Sequence, residues 1–138
     1  MIDDFQKAGT APARTACFLP EMTPGELKER TMRFALRILK LSEQLPASAS
    51  GRTVAKQISR SGTSVAANYR AALRGKSRRD FIHKITTVLE EVDETAFWRE
   101  FLERGALLPA RRLELLRNVA DALTRICAAT RQSAHNHK

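Results

Sequence analysis

Apolar residues recur three and four positions apart in four successive segments of the chain, and no segment shows the alternation of a half-buried strand. Such spacing gives each segment one greasy side that has to be covered. Thr23-Pro24-Gly25-Glu26 supplies an N-cap, a proline at the first helical position and a reciprocal acceptor, so a helix is expected to start there. Its stripe is Leu27, Thr31, Phe34, Ile38, Leu41 and Leu45, ended by Pro46 and the Ala-Ser-Ala-Ser-Gly turn. A second helix is expected from about Gly51 to Arg74, with Ser50 as cap and Val54, Ile58, Val65, Tyr69 and Ala72 on one side.

The third stripe is Phe81, Ile85, Val88, Leu89, Val92 and Ala96, stopped near Gly105. The fourth is Leu113, Leu116, Val119, Ala120, Leu123, Ile126 and Cys127. Four amphipathic helices joined by short turns predict an all-α, antiparallel up-down-up-down bundle over residues 23–131. Residues 1–22 read as a flexible N-terminal arm and 132–138 as a flexible tail.

At 138 residues the chain suits one domain. It has no run of about 18 apolar residues, and Asp3 and Asp4 stand where a secretory signal would place positive charge. A cytoplasmic protein with no membrane partner is the expectation. Cys17 and Cys127 make a poor disulfide framework, and neither is assigned a redox role.

The formal charge is +9, and its distribution is uneven. Residues 50–85 hold nine Lys or Arg against one acid, whereas 86–103 hold one against six. On the second helix Arg52, Lys56, Arg60, Arg70 and Arg74 share a face opposite the apolar stripe. Lys76, Arg78 and Arg79 extend it through the following turn. Small residues such as Thr63 and Ala67 between these cations would let a phosphate backbone approach, and Arg grips phosphate in a fork. The alternative is a solvated helix surface.

With no zinc spacing or helix-turn-helix signature and only one Tyr and one Trp for stacking, shape or backbone recognition of structured RNA or duplex DNA fits better than base readout. The letters Gly75-Lys76-Ser77 do not make a nucleotide loop. Arg70 occupies the position of the first glycine, and the approach is helical instead of a strand. Gly75 reads as a helix stop, with Ser77 capping the next helix and Asp80 as its acidic partner.

Catalysis is not expected, and no cofactor or metal is assigned. Glu90, Glu91, Asp93 and Glu94 spread around their helix, and His83 has no Glu-x-x-His partner of the kind that builds a di-iron bundle. His135 and His137 lie in the tail, without preorganised geometry. Phe97, Trp98 and Phe101 project away from the third stripe, so they either cover the fourth helix or form an apolar patch for another subunit.

The run from Gln57 through Ser61, Val65 and Asn68 to Ala72, then Lys76-Ser77-Arg78-Arg79-Asp80-Phe81-Ile82 and Val88-Leu89-Glu90-Glu91-Val92-Asp93-Glu94-Thr95-Ala96-Phe97-Trp98, resembles the four helix bundle protein family. That family includes proteins encoded in intervening sequences of large-subunit ribosomal RNA genes and is similar to accessory proteins of diversity-generating retroelements. The resemblance covers about residues 26–130. It implies a ring-like homopentamer with no established enzymatic activity, for which nucleic-acid binding is proposed, while the retroelement relatives partner a reverse transcriptase. Ser61 and Asn68 match the family pattern beside the apolar stripe, which suggests a polar contact at a helix seam, within the chain or across subunits. Where many members carry Glu in an Asn-Ile-Ala-Glu-Gly run, this chain has Asn68-Tyr69-Arg70-Ala71-Ala72.

Two readings follow. The first is a non-enzymatic oligomer that binds structured RNA through Arg52, Lys56, Arg60, Arg70, Arg74, Lys76, Arg78 and Arg79, with Ser61, Asn68, Phe97, Trp98 and Phe101 at the oligomer interface. The second is a protein-binding adaptor or scaffold for a nucleic-acid enzyme such as a reverse transcriptase.

Overall fold

A computed structural model describes residues 22–137. Four helices follow one another: α1 (Pro24–Glu43), α2 (Ala49–Leu73), α3 (Arg78–Arg104) and α4 (Ala110–Asn136). Each packs on the next in sequence, α1 on α2, α2 on α3 and α3 on α4. Connections of four or five residues leave no room for a parallel crossover, so neighbours run in opposite directions. One end of the bundle therefore carries the α1–α2 and α3–α4 turns, and the other carries the α2–α3 turn.

The helix boundaries follow from local hydrogen bonding. Thr23 and Glu26 form the expected reciprocal cap: Glu26 N–H donates to Thr23 Oγ1 at 3.1 Å, and Thr23 N–H donates to Glu26 Oε1 at 2.7 Å. The second helix starts before the expected Gly51, because Ser48 and not Ser50 accepts from Gly51 N–H, at 3.1 Å. Gly51 lies against the preceding turn so closely that a Cβ would come 1.9 Å from the Pro46 carbonyl oxygen. Ser77 caps α3 as expected, accepting from Asp80 N–H at 3.0 Å.

The end of α3 is a Schellman turn, with Leu107 N–H on Leu102 O at 3.0 Å and Ala106 N–H on Glu103 O at 3.1 Å. The left-handed residue of that turn is Ala106 at φ 56°, while the neighbouring Gly105 keeps an ordinary negative φ.

The core is the four expected stripes brought together. Leu27, Phe34, Ile38, Val54, Ile58, Val65, Ile85, Val88, Val92, Leu113 and Leu123 are all 0–1% exposed. Gly62 sits directly beneath Ile38, and a Cβ there would lie 2.7–2.8 Å from three of its atoms, so the glycine permits the close approach of α1 and α2. The expected tail from 132 is instead helical through Asn136, because Ser133 and Ala134 extend the buried side of α4 beyond Cys127 and Thr130. Of the expected N-terminal arm, residues 1–21 lie outside the described residues, and Met22 is buried against the core.

Candidate nucleic-acid interface

All eight cations expected to contact nucleic acid are exposed. The structure divides them into three sets. Arg70, Arg74, Lys76, Arg78 and Arg79 gather where α2 ends and α3 begins, five cations in ten residues with no acid between them. None of them is in an ion pair among the described residues. Arg52 and Lys56 stand near the opposite end of α2, about 20–35 Å away at 1.5 Å per residue. Arg52 donates to the Ala47 carbonyl at 2.9 Å and so also steadies the α1–α2 turn.

Arg60 is the exception and corrects the expectation of one uniform basic face. Its guanidinium lies between Glu91, at 3.4 Å, and Glu94 on α3, with both carboxylates accepting from it. The hydrogen bond that Arg60 donates to Glu94 raises the Arg60 pKa, and that same bond, helped by Trp98 Nε1–H at 3.3 Å, holds the Glu94 carboxyl below its ordinary value. A cation already neutralised by two carboxylates has little left to offer a phosphate.

The acid nearest the five-cation group is also engaged. Lys84 Nζ contacts both Asp80 oxygens, at 2.8 and 3.0 Å, and lowers its pKa. The Lys76 N–H adds a third hydrogen bond to Asp80, at 3.1 Å, which braces the turn and leaves the Lys76 side chain outside it. A cavity of about 370 Å³ adjoins these cations, lined by Leu73, Lys76, Arg78 and Phe81.

The residues expected at an oligomer interface do not stay together. Ser61 is fully buried within the chain, donating to Ile58 O at 3.2 Å and lying 2.8 Å from Thr95 Oγ1. It is a polar stitch between α2 and α3 and cannot reach another subunit. Asn68 is half-buried and donates to the Ser64 carbonyl of its own helix at 2.8 Å. Trp98 is partly buried against the core, with Phe97 and Phe101 packed on it at ring-centroid distances of 4.8 and 5.4 Å. Phe97 and Phe101 remain 53% and 45% exposed, so the aromatic group is a surface ridge and not a cover for α4.

Sequence reasoning passed over a second apolar surface. Leu36 and Leu39 on α1 and Leu115 on α4 are exposed, and all three line a groove of about 1160 Å³ between those helices. A signal was present: Met32, Leu36 and Leu39 repeat at four and three residues outside the core stripe.

Comparison with known proteins matches residues 26–129 to the 23S rRNA-intervening sequence proteins. The chain belongs to that family. A solved structure of a protein of unknown function from the S23 ribosomal protein family of Bacteroides thetaiotaomicron is 32% identical. It superposes with a TM-score of 0.76 over 80% of this chain and 99% of that one. No curated protein matches. The matched segment takes in nearly all of α1, all of α2 and α3 and most of α4, so both the cation group and the groove lie within the family's common fold. No helix among the described residues is long and apolar enough to cross a membrane.

Proposed function

We propose that this family member is a non-enzymatic, self-associating bundle that binds structured RNA through Arg70, Arg74, Lys76, Arg78 and Arg79, with Arg52 and Lys56 as an outlying contact. The observation that carries the reading is the set of five exposed cations at the α2–α3 end, in no ion pair among the described residues, beside an Asp80 that Lys84 already occupies. Counterion release drives cations of this kind onto a phosphate backbone without regard to base sequence. The family's association with ribosomal RNA intervening sequences favours RNA over DNA as the polyanion.

Arg60 is left out of the proposed contact set because Glu91 and Glu94 hold it. Repetition of the basic end around an assembly would add avidity to weak single contacts. Fluorescence anisotropy with an RNA hairpin, the matching DNA hairpin and single strands, across a salt series, tests the reading. RNA affinity that falls steeply with salt supports it, and affinity indifferent to salt refutes it.

A further inference from the structure

The cavity of about 370 Å³ at the basic end of the bundle has walls that do not suit a phosphate. It lies between the end of α2, the start of α3 and Pro24, the first residue of α1. Pro24, Tyr69, Ala72, Leu73 and Phe81 make its walls apolar, and Lys76 and Arg78 stand beside them. Tyr69, Ala72 and Phe81 are buried, whereas Leu73 is 39% exposed. A lone exposed leucine is ordinary on a protein surface. This one shares a cavity with four other apolar side chains, inside a group of five cations that are in no ion pair among the described residues.

A phosphate pressed against such walls gives up hydration and gains no donor in return. A nucleobase has two apolar faces and carries its polar atoms on its edge, so it loses little there. In a paired stem the base is stacked between its neighbours, but in a bulge or loop it is unstacked and can be splayed out. We infer that the cavity takes one unpaired nucleobase of the bound RNA, while Arg70, Arg74, Lys76, Arg78 and Arg79 hold the phosphates on either side of it. This inference rests on the RNA reading above and names the feature of a structured RNA that the protein selects, an unpaired nucleotide flanked by helix.

Size and charge both fit that occupant. The volume falls at the small end of the roughly 300–1,000 Å³ of small-molecule sites, enough for one nucleotide-sized group and too little for a peptide helix or a duplex end. Five cations within ten residues exceed what the phosphate of one free nucleotide can engage, and successive phosphates of a chain supply the remaining partners. Asp80, the acid nearest them, is held by Lys84 Nζ and by the Lys76 N–H, so its charge is already answered. Apolar walls meet any base through its face, so the cavity distinguishes the presence of a base from its absence and not one base from another.

The experiment uses the full chain and three labelled RNA hairpins with a common stem: one fully paired, one with a single unpaired adenosine in mid-stem, and one with an abasic ribose at that place. In fluorescence anisotropy the bulged hairpin should bind about 5-fold or more tightly than the paired one, the low end of what one base packed against protein rings adds. The abasic hairpin has the same extra phosphate and the same flexible joint, and it should fall back close to the paired one. Leu73→Ser removes apolar wall without changing charge, and Leu73 is exposed enough for the fold to hold. Leu73 is outside the phosphate contact set, so this variant should bind bulged and paired hairpins alike with the wild-type salt slope. Leu73→Met, which keeps the wall apolar, should keep the preference.

Equal affinity for the bulged and paired hairpins, or for the bulged and abasic ones, overturns the base site, and a salt dependence common to all three then leaves the phosphate reading standing. Binding of every hairpin that ignores salt overturns the phosphate reading and the base site with it. Adenosine monophosphate that displaces the bulged hairpin as effectively as unlabelled bulged RNA makes the cavity a free-nucleotide site and overturns the assignment to RNA. Should Leu73→Ser lose helicity by far-UV circular dichroism, the abasic comparison on the wild-type chain decides without it.

Discussion

Replacing Arg74, Arg78 and Arg79 together by Ala should flatten the salt dependence of RNA binding, whereas Arg60→Ala should leave it nearly unchanged. The three arginines are exposed and in no ion pair among the described residues, and each phosphate contact removed lowers the slope of log affinity against log salt by about 0.7–0.9. Taking binding to be equal near 1 M salt, one lost contact costs about 4–6-fold in affinity at about 0.15 M, and three cost about 50–170-fold. Arg60 on α2 is exposed too, yet Glu91 and Glu94 already neutralise it. Its removal frees two carboxylates and releases no counterion from the RNA, so the slope should stay that of wild type.

The assay is anisotropy of a labelled RNA hairpin at five or more salt concentrations, with variant mass checked alongside so that loss of avidity is not mistaken for loss of contacts. Equal slope changes for Arg60→Ala and Arg74→Ala would show that the intramolecular ion pairs do not withdraw Arg60. An unchanged slope in the triple variant would remove the α2–α3 end as the binding surface.

Three further outcomes concern the fold. Gly62→Ala gains about 1 kcal/mol of helix propensity but forces a methyl onto Ile38, an overpacking that costs about 1–3 kcal/mol, so urea unfolding should show a net loss of up to about 2 kcal/mol. A rise in stability would mean that α1 and α2 separate freely. Ala106→Gly relieves the left-handed strain of the Schellman turn and should raise stability by about 0.5–1 kcal/mol; a loss would show that the strain is compensated elsewhere. The buried Tyr69 hydroxyl has no hydrogen-bond partner among the described residues, so Tyr69→Phe should be neutral or stabilising by about 1 kcal/mol, and a clear loss would reveal a partner.

Alkaline pH should weaken the same region. Burial pushes the Cys127 thiol up from 9 to about 12 and the Tyr69 phenol well above its ordinary value of 10. Between about pH 9 and 12 the unfolded thiol loses its proton and the folded one keeps it, so stability is full below pH 9 and declines as pH rises through that window. Tyr69 adds to the decline above 10. Unfolding free energies measured from pH 8 to 11 should therefore slope downward, and Tyr69→Phe with Cys127→Ala should reduce the slope. An equal slope in that double variant would place the sensitivity elsewhere.

Much of the molecule is local and was legible in the chain. Stripe spacing decided that there are four helices and which sides of them are buried, since a helix face repeats every three or four residues whatever surrounds it. Thr23 with Glu26, and Ser77 with Asp80, set helix starts through bonds spanning three residues. The excess of Lys and Arg at the α2–α3 junction was likewise visible, because the ten residues from Arg70 to Arg79 are contiguous.

What remained depended on which helix lies against which. Arg60 shares the outward side of α2 with Lys56 and Arg74, but only packing places Glu91 and Glu94, 31 and 34 residues later, beside it. Ser61 looked available at a seam, and packing sealed it against Thr95. Phase showed that Phe97 and Phe101 leave the α3 stripe, yet their exposure, like that of Leu36 and Leu115, was visible only once the helices were packed together. A helix's own periodicity states which sides are apolar. Whether a second apolar side is covered by the same chain or left for another is settled by the relative placement of helices distant in sequence.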